Sequence, residues 1–258
     1  MRNLVMLVLL ATASVSAQTS RTILAVFAHP DDETVAGPVL ARYAREGNKV
    51  YLAIATKGEK GANERAGIPA GDALAKARSE EAACACRQLG IEPPVLLGLN
   101  DGEMGAISNP LGRNIQEVAD RVAKLISELH PSAVITWGAD GGYGHPDHRL
   151  VGDAVTQVMQ ASKSDAKFYY VGFSPGQTEL VDKIWPMKWH PTDPAYLTVR
   201  VSFSKADLAA SRRALECHKS QFSPEEVKKL EEALDNGWQQ AILFRPGFSG
   251  QSSEDLLK

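Results

Sequence analysis

Cysteine is scarce in this chain. Only Cys84, Cys86 and Cys217 occur, with no Cys-x-x-Cys spacing. That excludes a cysteine-built zinc knuckle and a dense disulfide framework. Charge of one sign is missing too: 28 Lys and Arg stand against 31 Asp and Glu, a formal charge of -3. A basic footprint for nucleic acid is therefore absent. Beyond the N-terminus no apolar run approaches the ~20 residues that a bilayer span needs. Internal repeats, low-complexity tracts and composition shifts that would mark a second domain are lacking as well.

What is present begins with MRNLVMLVLLATASVSA. Arg2 supplies a positive start, residues 4–11 are almost purely apolar, and Val15-Ser16-Ala17 places small residues at a cleavage position. This pattern predicts a Sec-type signal peptide over residues 1–17 and a mature domain over 18–258, periplasmic or secreted, with an uncleaved anchor as the alternative. After cleavage no stable membrane insertion is expected. Export permits disulfides. Cys84 and Cys86, two apart in a helical pattern, point to different sides, so a bond between them is strained. Buried free thiols are the expectation, and a bond to Cys217 is the alternative.

Apolar runs rich in β-formers at 22–28 (TILAVFA), 49–55 (KVYLAIA), 95–99 and 133–137 (AVITW) read as buried strands. Helical patterns follow at 33–46, 73–89, 114–129 and from the segment HPDH to about 160; strands at 167–173 and 195–201 and helices at 204–219 and 223–234 complete the reading. Alternation of this kind predicts a single-domain α/β fold: a Rossmann-like, open, mostly parallel sheet with helices on both faces. Ligands in such folds bind at the carboxyl ends of the strands. Polar, glycine-rich segments fall there, after Ala28, Ala55, Leu99 and Trp137.

Two of those segments carry chemistry. His29-Pro30-Asp31-Asp32-Glu33 follows the first strand, with His29 and Asp32 three apart; His145-Pro146-Asp147-His148 follows the fourth, with its two histidines three apart. At a strand-to-helix turn that spacing points both members of a pair to one side. Asp31 then points differently, within reach of a metal-bound water. Imidazole with carboxylate suits Zn²⁺, and three protein ligands leave a position for water. Spacing alone leaves open which of His145 and His148 is a ligand.

Ala28-His29-Pro30-Asp31-Asp32-Glu33 together with His145-Pro146-Asp147-His148 resembles the LmbE/PIG-L family of zinc-dependent de-N-acetylases. Thr56-x-Gly58-Glu59, Arg78-x-x-Glu81, Leu99-Asn100-Asp101-Gly102 and His218-Lys219-Ser220-Gln221 resemble further segments of that family, so the likeness runs from Ile23 to about Phe222. The resemblance implies that His29, Asp32 and His148 hold the zinc. It implies Asp31 as general base, and His145 as a protonated imidazole that stabilises the oxyanion or protonates the leaving amine. Tyr143 is a second candidate donor to the oxyanion. Glu59, Arg78 and Asp101 are implied contacts for sugar hydroxyls. Asp147 can orient a histidine. His218 has capping or packing as its ordinary explanation, and Trp137 reads as core.

The expected activity is removal of an N-acetyl group from an N-acetylated amino sugar or its conjugate. An amidase for a larger amide and a metal-containing sugar-binding protein without turnover are the alternatives. His29, Asp32 and His148 also fit the two-histidine, one-carboxylate triad of Fe²⁺ oxygenases, so Fe²⁺ or another divalent metal stands beside zinc. The expected partner is a small-molecule amino sugar. Its identity and the oligomeric state are not legible. The loops 56–70 and 101–112 rim the expected site and set specificity.

Overall fold

The computed structural model describes residues 20–105, 113–248 and 252–257. The signal peptide expected at 1–17 and residues 106–112 of the loop expected at 101–112 lie outside the described residues. Seven strands form one sheet: β1 (Thr22–Phe27), β2 (Lys49–Thr56), β3 (Val95–Leu99), β4 (Ala133–Thr136), β5 (Lys167–Val171), β6 (Val199–Ser202) and β7 (Ala241–Pro246). Their order is β3-β2-β1-β4-β5-β7-β6. The first five are parallel, whereas β7 runs antiparallel to both β5 and β6.

The sheet is central because its strands are apolar on both faces. Along β1, Ile23, Ala25 and Phe27 join one core, and Leu24, Val26 and Ala28 the other. Period-two alternation thus sorts a continuous apolar run into two layers. The first layer is covered by α1 (Gly37–Arg45), α2 (Asp72–Leu89), α7 (Lys205–Leu215) and α8 (Pro224–Gly237). The second is covered by α3 (Arg113–Leu129) and α5 (Pro146–Ala161).

Several expectations are adjusted. The helix expected at 33–46 is two pieces, a 3₁₀ turn at Asp32–Val35 and then α1, with Pro38 in the first turn of α1. Proline suits a helix start, where its missing N–H costs nothing, so the helix restarts there. The strand expected at 195–201 is a 3₁₀ turn (Pro194–Tyr196) followed by β6. Sequence reading missed α6 (Pro175–Asp182), the short irregular α4 (Gly141–Gly144) and β7.

The cysteine expectation is corrected. Cys84 and Cys217 form a disulfide, and only Cys86 is a buried free thiol. Packing of α7 against α2 brings together two residues 133 apart in sequence, a proximity that local pattern cannot show. Closing so long a loop restricts the unfolded chain strongly. Replacing both cysteines by serine should cost about 2–4 kcal/mol. In calorimetry this should lower the thermal midpoint by roughly 4–16 °C for a chain of this size. An unchanged midpoint would show that the bond adds nothing to stability.

Candidate metal centre and active site

The chain runs outward from β1 to β2 to β3, then returns to place β4 on the other flank of β1. A crevice opens where that order reverses, beyond the carboxyl ends of β1 and β4. The turn after β1 carries His29, Asp31 and Asp32. The segment after β4 carries Tyr143, His145, Asp147 and His148. The loops after β2 and β3 bring Glu59 and Asp101 to the same edge. Both motifs thus meet, although more than a hundred residues separate them.

Hydrogen bonds fix how each donor atom points. Asp32 Oδ2 accepts from the backbone N–H groups of Ala28 (2.9 Å) and His29 (3.0 Å) and from Trp137 Nε1 (3.0 Å). Oδ1 is left to face His148 Nε2 at 3.2 Å. His148 Nδ1 lies 3.0 Å from the Gly141 carbonyl, so it carries the proton and Nε2 presents a lone pair. His29 Nε2 faces Asp101 Oδ1 at 3.1 Å and Asp147 Oδ2 at 3.4 Å. Its Nδ1 then turns toward His148 Nε2 at 3.2 Å. Trp137 stacks on His148 with ring centroids 4.4 Å apart and planes 3° from parallel. A tryptophan N–H that seeks a partner when buried was the signal that this residue is more than core.

This donor set fits a divalent metal. Two ring nitrogens with lone pairs toward each other at 3.2 Å repel unless a cation or proton lies between them. Burial disfavours charge on His29, yet the carboxylates of Asp101, Asp147 and Asp32 outweigh it and raise the ring to about 10. The cage therefore attracts positive charge. Burial also works against the Asp32 carboxylate, but His148, His29 and Trp137 hold it well below the usual range. Tetrahedral zinc, with nitrogen ligands at about 2.0–2.1 Å, separates neighbouring donors by roughly 3.3 Å. Two groupings have donor atoms all within 4.8 Å of one another: His29, His145 and His148, and His29, Asp101 and Asp147. Asp32 is in neither: it meets the cage through Oδ1 at His148, while its nearest approach to His29 Nδ1 is 3.9 Å and runs through Oδ2.

Asp31 has a different environment. Its Oδ2 accepts from Arg78 Nη2 at 2.9 Å, and the same guanidinium donates to the carbonyls of Pro30 (2.6 Å) and Gly58 (3.0 Å). At Gly58 (φ 65°) a Cβ would overlap that guanidinium, so a bare backbone is needed there. Burial pushes the Asp31 carboxyl up to about 6, against the opposing pull of Arg78. Desolvation thus works to make this carboxylate a stronger base than an exposed aspartate.

His145 caps α5: its Nδ1 accepts from the Asp147 N–H at 3.2 Å. Burial, with the neighbouring rings of His148 and His29, lowers its pKa to about 4. At pH 7 it is neutral, and since Nδ1 accepts, Nε2 carries the proton. Tyr143 packs its ring edge-on to His148, His145 and Trp189. Burial and the charges of Asp32 and Asp31 push its phenol up, so it stays a donor. The loop that carries it turns through Gly142 (φ 74°), where a Cβ would come within 3.0 Å of Trp137 and 3.1 Å of Trp189.

Arg78 and Asp101 are buried at 4% and 6% exposure and turned inward, toward Asp31 and His29. Asp101 Oδ2 accepts from the Lys60 N–H (2.9 Å), and Glu59 Oε1 from the Asp101 N–H (2.8 Å), leaving Glu59 Oε2 buried and unpartnered. Asp147 Oδ2 accepts from the Gly102 N–H at 2.7 Å, joining the two loops across the crevice. Sequence reasoning missed the buried pair of Glu33 and His218, at 2.6 Å. The histidine in His-x-Ser-Gln was visible, but not the carboxylate 185 residues away that it meets.

The pattern of the PIG-L family, described as GlcNAc-PI de-N-acetylase, matches residues 24–159. A 1D-myo-inositol 2-acetamido-2-deoxy-alpha-D-glucopyranoside deacetylase of Actinosynnema mirum is 31% identical over 86% of this chain and 88% of its own. Among solved structures, N,N'-diacetylchitobiose deacetylase from Pyrococcus horikoshii superposes with a TM-score of 0.65 at 18% identity, over 89% of this chain and 85% of that one. The A40926 pseudoaglycone deacetylase Dbv21 gives 0.67 at 19% identity, over 89% and 98%. At such identities the structural likeness is one of fold. The sequence matches go further: more than half of the chain follows the family pattern, and the Actinosynnema relative is matched over most of both lengths, so this chain belongs to the PIG-L (LmbE) family.

Proposed function

We propose that this protein is a metal-dependent hydrolase that removes the N-acetyl group from an N-acetylated amino sugar or its conjugate. The observation that carries the reading is that His148 Nε2 meets both His29 Nδ1 and Asp32 Oδ1 at 3.2 Å, each of the three side chains oriented by a partner on its other atom, beside an Asp31 carboxylate gripped by Arg78. These three side chains would hold the metal, with zinc the favoured ion because nitrogen and oxygen donors at this spacing suit its tetrahedral preference. A divalent cation held there supplies Lewis acidity, acidifying water and polarising an amide carbonyl.

The chain's own residues do the rest. Asp31 accepts the proton of the attacking water as its oxygen bonds to the acetyl carbon. The Nε2–H of neutral His145 and the phenol of Tyr143 donate to the oxyanion of the tetrahedral adduct. The C–N bond then breaks, and Asp31 returns its proton to the departing nitrogen. One water is consumed, and acetate and a primary amine leave. Asp101 and Asp147 hold His29 in the tautomer that frees Nδ1, and Arg78 positions Asp31. Glu59, half-buried with one free carboxylate oxygen, is the member of the expected sugar-binding trio best disposed to meet a hydroxyl.

The Cys84–Cys217 bond supports an exported enzyme, as the N-terminal residues imply, since such bonds persist in oxidising compartments. Among the described residues no helix is long and apolar enough to cross a membrane. The test is primary-amine release by zinc-loaded protein from a panel of N-acetylated amino sugars and glycosides. We expect turnover on at least one member. Silence across the panel with zinc bound would overturn the acetyl-sugar reading and favour a larger amide.

A further inference from the structure

Asp31 sits in a backbone conformation that non-glycine residues seldom adopt, with φ 105° and ψ -21°. Such conformations persist only where the surroundings over-determine them. Here the Asp31 carbonyl accepts from Thr34 Oγ1 at 2.7 Å, and the Asp31 N–H donates to Glu33 Oε2 at 3.0 Å. The second oxygen of Glu33 meets His218 Nε2 at 2.6 Å. Glu33 and His218 are both wholly buried, and His218 Nδ1 has no partner. A buried carboxylate bridging one backbone N–H and one imidazole is costly to place in a core without a reason.

The segment that carries His218 is itself anchored. Its neighbour Cys217 is bonded to Cys84 of α2, and the N–H and Oγ of Ser220 both donate to Glu81 of α2 at 2.7 Å. The same helix supplies Arg78, which grips the Asp31 side chain. Helix α2 therefore restrains Asp31 twice: directly at the carboxylate through Arg78, and indirectly at the backbone through His218 and Glu33.

We propose that Glu33 and His218 are positioning residues that hold the backbone of Asp31 in its left-handed conformation and thereby set where the Asp31 carboxylate lies. This rests on the deacetylase reading above for the consequence in turnover, though not for the conformation itself. A buried pair serving only to join the first turn to the 217–220 segment would affect stability alone.

The test uses zinc-loaded, full-chain variants, reading kcat, KM, zinc content and thermal midpoint on the best substrate of the panel, with crystal structures. Glu33→Ala should lower kcat by about a hundredfold, the scale that an ångström of misplacement costs, with KM and zinc content unchanged and Asp31 relaxed to negative φ. His218→Ala should lower kcat by about tenfold or more, and His218→Gln, which keeps an N–H donor for Glu33, should recover most of it. Alanine variants that fold, keep wild-type kcat and leave Asp31 at positive φ overturn the proposal. If they fail to fold, Glu33→Gln decides: its single acceptor oxygen serves one of the two donors, so wild-type kcat there refutes the role and a selective kcat loss supports it. Should the wild-type protein release no amine, the deacetylase reading falls and the φ of Asp31 in the Glu33→Ala and Glu33→Gln structures alone settles the positioning role.

Discussion

Asp31→Asn should leave the metal bound and the fold intact while lowering kcat by roughly 10²–10⁴-fold, the usual worth of a positioned base. Asparagine tolerates positive φ nearly as well as aspartate does, so the turn at φ 105° survives the exchange. Its amide oxygen still accepts from Arg78. What disappears is the capacity to take a proton. KM should move little, because Asp31 acts on water rather than on the sugar. The pH profile adds a second reading. Burial raises Asp31 to about 6, and a cation in the adjacent cage draws it down again, so the acid limb of kcat/KM should lie at or below pH 6. Below that limb the carboxyl is protonated and cannot accept. Turnover by Asp31→Asn at the wild-type rate would remove this residue from the mechanism.

The second large effect is on the metal itself. His148→Ala should empty the site at zinc concentrations that saturate the wild-type protein, since it removes a donor atom and the Trp137 stack together. Losing an outer partner, as in Asp101→Asn, should weaken metal binding by about ten- to a hundredfold. His148→Ala should exceed that. His145→Ala should keep its zinc and lose kcat, because its Nδ1 is committed to the Asp147 N–H and its pKa of about 4 leaves a neutral donor rather than a cation. Chelation should abolish amine release and added Zn²⁺ restore it. Metal analysis of the variants checks the assignment: zinc retained by His148→Ala and lost by His145→Ala would exchange the two roles.

The parallel half of the sheet was legible because β1, β2 and β4 are apolar on both faces and end in polar turns, glycine-rich after β2 and β4. The two histidine motifs were legible because their spacing is local. The tautomers of His29 and His148 were not, since each is set by Asp101, Asp147 or Gly141 across the crevice. Arg78 could be read as a sugar contact from its motif, but helix packing turns its guanidinium toward Asp31, 47 residues away in sequence. The disulfide escaped for the same reason. The strand β7 escaped because AILFRP ends in arginine and proline, which spoil the alternation of a buried strand, and because an antiparallel partner breaks the βα rhythm that the rest of the chain follows.

That antiparallel insertion has a consequence for the order in which the molecule is completed. Among the described residues β7 is the last strand along the chain, yet it lies between β5 and β6, and β6 joins the sheet through it. During synthesis, β5 is finished some seventy residues before the segment that covers its outer edge is available. For that interval a row of unpaired backbone donors and acceptors faces outward, a template for pairing with any passing strand. The crevice with its histidines is complete in sequence long before the sheet is closed, so the danger in making this protein lies at the edge of the sheet opposite β3, one strand beyond the β4 that carries half of its chemistry.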